Sequence, residues 1–442
     1  MKNYVIISNI IKKFNKSINV QGDKSISIRW ALMASQAIGK SRAYNLLKSE
    51  DVKSTLNTLK KFGVKVSSNK NYCEIIGNGL NGYNFKCNTI IDAGNSGTLA
   101  RLVLGLLAKS NKSVIIKGDK SLSKRDFSRV IKPLNYFGVK IRSKKNKLPL
   151  ILQGTNYLRP IYFEEKKGSA QVKSCIMFAS LNTPGITKIK CAKSRDHTER
   201  LFKHLKIPIK IKNISKTNQM IEVEGKKQYN GFNYNVPGDI SSASFFIVLT
   251  CLSKNSKIII KNVNINRSRT GIIDILKKMD ANIKIKNKKL INNEPVGDIY
   301  VKSSGSLKAI NCDTELNSRA IDEFPLIFLL CAKAKGISFF KKIGELRHKE
   351  SDRLKVCSKF LRNIGIKVVE KNESLKIYGN PDLKLEKKYN IKDFMEDHRI
   401  FMMSCVAALT LGGKFKINDK NSIKTSFPNF ILTLKKLGAN IN

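Results

Sequence analysis

One unit recurs six times in this chain, and it constrains the fold more than any other feature: an amphipathic helix, a tight turn and a β-branched strand. The copies read TLNTLKKFGVKV ending at Val66, VIKPLNYFGVKI at Ile141, RLFKHLKIPIKI at Ile211, IIDILKKMDANI at Ile283, KFLRNIGIKVV at Val369 and ILTLKKLGANI at Ile441. Apolar residues at helical spacing bury one face, a Gly at the helix end takes the left-handed turn, and Val or Ile continues as strand. Between these lies a second helix type, apolar on most faces and opened by Ser, Thr or Asp: SISIRWALMASQAIG, SGTLARLVLGLLAKS, SAQVKSCIMFASLN, ISSASFFIVLTCLSK, IDEFPLIFLLCAKAKG and DHRIFMMSCVAALTLGG. Helices of this kind belong inside a layer. Each unit is therefore mixed α/β with one buried and one outer helix.

Three repeats lie on each side of VPGD (Val236 to Asp239), so the spacing predicts two similar α/β domains, residues 21–240 and residues 1–20 with 241–442. The opening strand, before Gly22, precedes the first repeat and is expected to pair with the second domain, giving chain crossings near 21 and 238.

At 442 residues and 41% hydrophobic content the chain can bury two or three cores. Its formal charge of +50 would suit a polyanion such as RNA. The charge is dispersed, however, with no basic tail and no aromatic-rich recognition module, which reads as a solvated surface and no nucleic-acid partner. Lys outnumbers Arg about four to one, a pattern that genome-level composition produces by itself. Where Arg persists is then informative, because guanidinium grips carboxylate and phosphate bidentately. Nine Cys without a CxxC pair and four His without ligand spacing indicate neither a metal site nor a disulfide framework. The N-terminal MKNYVIISNIIKKFNKS lacks signal-peptide order, and no apolar stretch reaches membrane-spanning length, so a soluble protein of the reducing cytoplasm is expected, with no membrane partner.

Charged and hydroxyl residues gather at the N-terminal ends of the apolar helices, where free N–H groups and a partial positive charge favour anions. Arg29, Arg101, Arg125, Arg195, Arg353 and Arg399 all fall in these segments. Any one of them is explained by a structural pairing; six together suit a substrate with phosphates and carboxylates.

The segments GDKSISIR (22–29), GNSGTLAR (94–101), GDKSLSKR (118–125), SAQVKS (169–174), SRDHTER (194–200), IDEFP (321–325), RHKESDR (347–353) and DHRI (397–400) resemble 5-enolpyruvylshikimate-3-phosphate synthases, in that family's order and over nearly the whole chain. The resemblance implies two domains of three βαβαββ repeats each, an inside-out α/β barrel, with the active site in the interdomain cleft. It implies enolpyruvyl transfer from phosphoenolpyruvate to the 5-hydroxyl of 3-phosphoshikimate by a monomer without cofactor or metal, and inhibition by glyphosate.

By resemblance, Lys24, Ser25, Arg29, Ser169, Ala170, Gln171, Ser194, Arg195, Asp322 and Lys349 bind 3-phosphoshikimate. Lys24, Gly97, Arg125, Gln171, Arg353 and Arg399 cradle phosphoenolpyruvate. Asp322 matches the base on the 5-hydroxyl, Glu350 the proton donor to C3, and Lys24 touches both substrates. Against these roles stand plain ones: an N-cap for Asp322 and a surface salt bridge for Glu350. His197 and His398 are read as structural, orienting neighbouring Arg and Asp.

Three positions depart from the family's pattern. Ile28 replaces a polar residue before Arg29. Asp126 replaces a Pro after Arg125, which bears on that loop and on Arg125's pairing. Thr425 fills a place where some members carry Lys, with Lys424 one residue early. The competing readings are a UDP-N-acetylglucosamine enolpyruvyl transferase, disfavoured because no Cys lies between Cys87 and Cys175, and a basic RNA-binding or RNA-end-processing protein.

Overall fold

The computed structural model describes residues 3–442. The helices run in chain order as α1 (Lys24–Ala34), α2 (Glu50–Lys61), α3 (Gly97–Leu106), α4 (Ser128–Tyr136), α5 (Ala170–Ser180), α6 (His197–His204), α7 (Ile240–Leu252), α8 (Gly271–Lys278), α9 (Phe324–Ala332), α10 (Arg353–Asn363), α11 (His398–Leu411) and α12 (Phe430–Lys436). Odd-numbered helices are the apolar type and even-numbered ones the amphipathic type. In α7 every residue from Ile240 to Cys251 is buried, whereas α2 buries only one face, with Val52, Thr55 and Leu59 at helical spacing.

The chain divides into two compact units, each around its own apolar core. The first comprises Gly22–Val236 with Leu290–Glu294; the second comprises Met1–Gln21, Pro237–Lys289 and Pro295–Asn442. The first two residues of the 1–20 segment lie outside the described residues. The five residues Leu290–Glu294 depart from a division with two crossings only. The reason lies in polar anchors within the first unit: Glu294 Oε1 is 2.7 Å from His197 Nδ1, and Arg200 Nη1 donates to the Asn293 carbonyl at 3.0 Å.

Among the described residues, four of the six sheets have four strands in the same order, and the other two, which hold Gly336–Phe340 and Gly412–Asn418, have three strands. In the first unit, Thr89–Asp92 runs parallel to Ser113–Lys117, which pairs antiparallel with Leu150–Gln153, which pairs antiparallel with Lys140–Ser143. Tyr162–Glu165, Ile186–Ala192, Asn218–Glu224 and Ile209–Asn213 repeat this. In the remaining sheet the parallel edge strand comes from the end of the unit, Asn233–Asn235 beside Ile38–Tyr44. The second unit closes in the same manner: Asn15–Asn19 lies parallel to Lys257–Asn264, and Tyr4–Ile7 antiparallel to Gly412–Asn418. Strands that precede residue 21 thus complete sheets built from the C-terminal half.

The turn after each amphipathic helix is left-handed in all six repeats. Gly63, Gly138, Gly365 and Gly438 take positive φ there, and so do Lys206 (55°) and Asp280 (61°), where no Gly stands. The helix-to-strand connection imposes the conformation, whichever residue occupies it. At Gly365 (φ 84°) an added Cβ meets nothing within 4 Å among the described residues, so Gly365→Ala isolates the backbone cost. It should destabilise by about 1 kcal/mol, whereas Lys206→Gly should stabilise by about 0.5 kcal/mol. Urea midpoints that move in opposite directions for the two variants are the expected result.

Candidate active site

In the first unit the sequence-identified residues gather at the N-terminal ends of α1, α3 and α5. Side-chain caps hold these ends: Asp23 accepts from Ile26 N at 2.9 Å, Ser96 from Leu99 N at 3.2 Å and Ser169 from Val172 N at 3.4 Å. Lys24 opens α1, with its ammonium 3.0 Å from Asp51 Oδ2 in the first turn of α2. Arg29 is buried one turn on. It donates to Thr198 Oγ1 (2.8 Å), Ser174 Oγ (3.0 Å) and the Ser25 carbonyl (3.0 Å), tying α1 to α5 and α6.

Gly97 is the first residue of α3. A Cβ placed on it would stand 2.7 Å from Arg101 Nη1, 3.1 Å from Arg125 Nη1 and 3.4 Å from Leu122 Cδ1, so only Gly leaves these two guanidinium groups where they are. Gln171, half-buried, accepts from Arg101 Nη1 at 3.0 Å and donates to Thr98 Oγ1 at 3.2 Å. Ala170 is the first residue of α5, and Ser169 before it donates its N–H to Glu165 Oε2 at 2.9 Å. Ser194 and Arg195 are half-buried on the approach to α6, and the Ser194 Oγ is buried without a hydrogen-bond partner among the described residues.

In the second unit Asp322 and Glu350 meet on one buried guanidinium, that of Arg353, and Arg399 approaches Asp322. Arg353, 1% exposed, opens α10. It donates through Nε to Asp397 Oδ2 (2.8 Å) and through Nη2 to Asp397 Oδ1 (3.2 Å) and Glu350 Oε2 (2.5 Å); Nη1 stands 3.5 Å from Asp322 Oδ1. Arg399 approaches Asp322 as well, with Nη1 donating to its carbonyl at 3.1 Å and Nη2 3.8 Å from Oδ2. Lys349 is half-buried beside Glu350 in the chain.

Burial works against the Arg353 charge, but the carboxylates of Asp397, Glu350 and Asp322 outweigh it and raise its pKa above the ordinary arginine value. Burial likewise works against the Asp397 charge. The Arg353 guanidinium overcomes it and holds that carboxyl below the usual range, against the opposing effect of Glu350.

Two of the plain roles set against these residues do not hold. The N-cap of α9 is Glu323, and Asp322, one residue earlier, stands within reach of two arginines. The Glu350 partner is among the most buried side chains of the protein, so their pair is no surface salt bridge. Ile28 is fully buried in the core. The Asp126 carboxylate accepts from the Ser128 N–H at 3.0 Å and from its hydroxyl, while Arg101 donates to the Asp126 carbonyl at 3.3 Å. Burial opposes the Asp126 charge, but the Ser128 bonds and nearby Arg129 and Arg101 lower its pKa. Lys424 is exposed, and Thr425 Oγ1 lies 3.4 Å from His398 Nδ1.

Sequence reasoning missed Asp397, which caps α11 through the Arg399 N–H (3.0 Å) while bonding Arg353, and Asp51, which partners Lys24. An Asp directly before an apolar helix was the available signal for Asp397. Nothing local marked Asp51.

The model of the EPSP synthase (3-phosphoshikimate 1-carboxyvinyltransferase) family matches residues 8–434. A 3-phosphoshikimate 1-carboxyvinyltransferase of Petrotoga mobilis is 39% identical, covering 96% of this chain and 98% of its own. One of Thermodesulfovibrio yellowstonii is 38% identical, covering 98% and 100%. The EPSP synthase structure from Acinetobacter baumannii superposes with a TM-score of 0.86 at 32% identity, with 99% of each chain covered. The enolpyruvyl transferase NikO from Streptomyces tendae shares the fold, with a TM-score of 0.76 at 14% identity over 100% and 99% of the two chains. With a match that spans nearly every residue, and relatives of this identity along their full lengths, the chain belongs to the EPSP synthase family.

Proposed function

We propose that this protein transfers the enolpyruvyl group of phosphoenolpyruvate to the 5-hydroxyl of 3-phosphoshikimate and releases phosphate. The observation that carries the reading is that Asp322 and Glu350, the two carboxylates the reaction needs, meet on one buried guanidinium, Arg353. Asp322 takes the proton of the 5-hydroxyl as its oxygen bonds to C2 of phosphoenolpyruvate, and Glu350 delivers a proton to C3. The tetrahedral adduct then expels phosphate and gives up a C3 proton, which restores the double bond.

Lys24, Gly97, Arg125, Gln171, Arg353 and Arg399 are assigned to the donor, whose phosphate and carboxylate suit forked guanidinium groups. Lys24, Ser25, Arg29, Ser169, Ala170, Gln171, Ser194, Arg195, Asp322 and Lys349 are assigned to the acceptor. A donor anion on Arg353 competes with Glu350 for the same guanidinium.

The scheme uses no cofactor or metal. The same reading takes residues 21–240 and 1–20 with 241–442 as the working domains of a cytoplasmic monomer. No helix among the described residues is long and apolar enough to cross a membrane, and all nine cysteines are free thiols, eight of them buried, which supports a reducing compartment. The test is phosphate release from phosphoenolpyruvate with 3-phosphoshikimate or UDP-N-acetylglucosamine as acceptor. Release is expected with the first alone; release with the second alone would overturn the assignment.

Glyphosate, with its phosphonate and carboxylate, is expected to compete with phosphoenolpyruvate. The Cβ added by Gly97→Ala would press on the flexible ends of Arg101 and Arg125, so the fold should survive while the donor's anion cradle shifts. Glyphosate inhibition should weaken about tenfold or more, with a smaller rise in KM for phosphoenolpyruvate. An inhibition series at several phosphoenolpyruvate concentrations checks this; equal inhibition of both proteins would remove Gly97 from the donor pocket.

A further inference from the structure

We propose that three buried charged side chains outside the substrate-binding set, Glu165, Lys173 and Glu199, act as an ionic clamp that positions the 3-phosphoshikimate-binding segments. The inference rests on the assignment of Ser169, Ala170, Gln171, Ser194 and Arg195 to that substrate. Glu165, Lys173 and Glu199 are 6%, 0% and 1% exposed. Lys173 lies on α5, one turn after Ser169. Its ammonium stands 2.5 Å from Glu199 Oε1 on α6, a contact of charge without the alignment of a hydrogen bond, and donates to the Ser194 carbonyl at 3.4 Å. Glu165 accepts from the Lys167 N–H at 3.1 Å and from the Ser169 N–H at 2.9 Å, fixing the turn that delivers Ser169 to its capping position.

The clamp therefore joins the turn before α5, the first turns of α5, and the Ser194–Arg195 approach to α6. Stability alone is a poor reason for such a group, because desolvating charges costs about as much as their attraction returns, and apolar replacements of similar volume are often neutral. What the charges supply is direction. Lys173 fixes the Ser194 carbonyl and Glu165 the Ser169 amide, so the hydroxyls of Ser169 and Ser194 are presented from a frame that cannot slide. These are positioning residues, with no contact to substrate required.

The test replaces the pair by apolar side chains, Lys173→Met with Glu199→Leu, in the full chain, and measures both KM values, kcat and the melting temperature. Expected are a melting temperature within a few degrees of wild type, a KM for 3-phosphoshikimate raised about tenfold or more, a clearly smaller rise in the KM for phosphoenolpyruvate through Gln171, and a kcat that changes little. If the double variant does not fold, Glu199→Gln, isosteric with the native side chain, is measured for the same split. Unchanged KM for 3-phosphoshikimate in a folded variant overturns the clamp, as does an equal rise in both KM values. Arg29→Ala separates this from the underlying assignment: if it raises the 3-phosphoshikimate KM while the clamp variant does not, the clamp alone fails. If Arg29→Ala leaves that KM unchanged, the binding assignment fails and the clamp with it.

Discussion

Arg353→Leu should destabilise the protein by about 3–5 kcal/mol at neutral pH, the scale for removing one partner of a buried ion pair, and should eliminate measurable turnover. Arg353 holds three carboxylates, of which Asp397 is fully buried, and the substitution leaves that charge without its principal counterion. The pH dependence separates this account from simple loss of packing. In the wild type the Asp397 pKa is depressed, so its contribution to stability is present above the unfolded value of about 3.9 and is lost as pH falls through the folded value. Without Arg353, burial dominates and the folded pKa of Asp397 rises above the unfolded one. Its penalty then grows as pH rises past about 4 and disappears where both states are protonated. The stability gap between wild type and variant, measured by denaturant unfolding from pH 7 down toward pH 4.5, should therefore narrow. A gap that stays constant with pH would assign the loss to packing. Arg353→Lys keeps a charge but not the fork that spans both Asp397 oxygens, and should lie between the two in stability while remaining inactive.

Glu350→Gln and Asp322→Asn should each lower kcat by about 100-fold or more, the usual scale for a positioned acid or base. The split between kcat and KM carries the argument. Both carboxylates stand at the Arg353 guanidinium, where a donor anion must compete with them, so neutralising either removes a competitor. The KM for phosphoenolpyruvate should stay constant or fall while turnover collapses. Steady-state kinetics at saturating 3-phosphoshikimate measures this. Near-normal kcat in a folded variant would remove the acid or base role, and a large rise in the KM for phosphoenolpyruvate would mean that the carboxylate serves binding instead.

What the sequence determined by itself is everything set by neighbours a few residues apart. The helix-turn-strand units are legible because the apolar spacing of α2 or α10, the turn after it and the strand that follows all lie within about twenty residues; the expected sixth strand, ending at Ile441, is the exception, since residues 439–442 after α12 form no assigned strand. The caps Asp23, Ser96 and Ser169 are local too, each bonding an N–H three residues on. Even the missing glycines at Lys206 and Asp280 mislead little, because the connection dictates the left-handed turn.

Only the tertiary structure decided which charges meet. Arg353 finds Asp397 across 44 residues, and Arg29 finds Ser174 and Thr198 across 145 and 169. Lys24 finds Asp51 through the packing of α1 on α2. Sequence could place an Arg at a helix end, but not say whether it faces a substrate, a carboxylate or two hydroxyls. The physical reason is that a side-chain bond is set within tenths of an ångström by how helices from different repeats pack, whereas periodicity fixes only the face on which a residue lies.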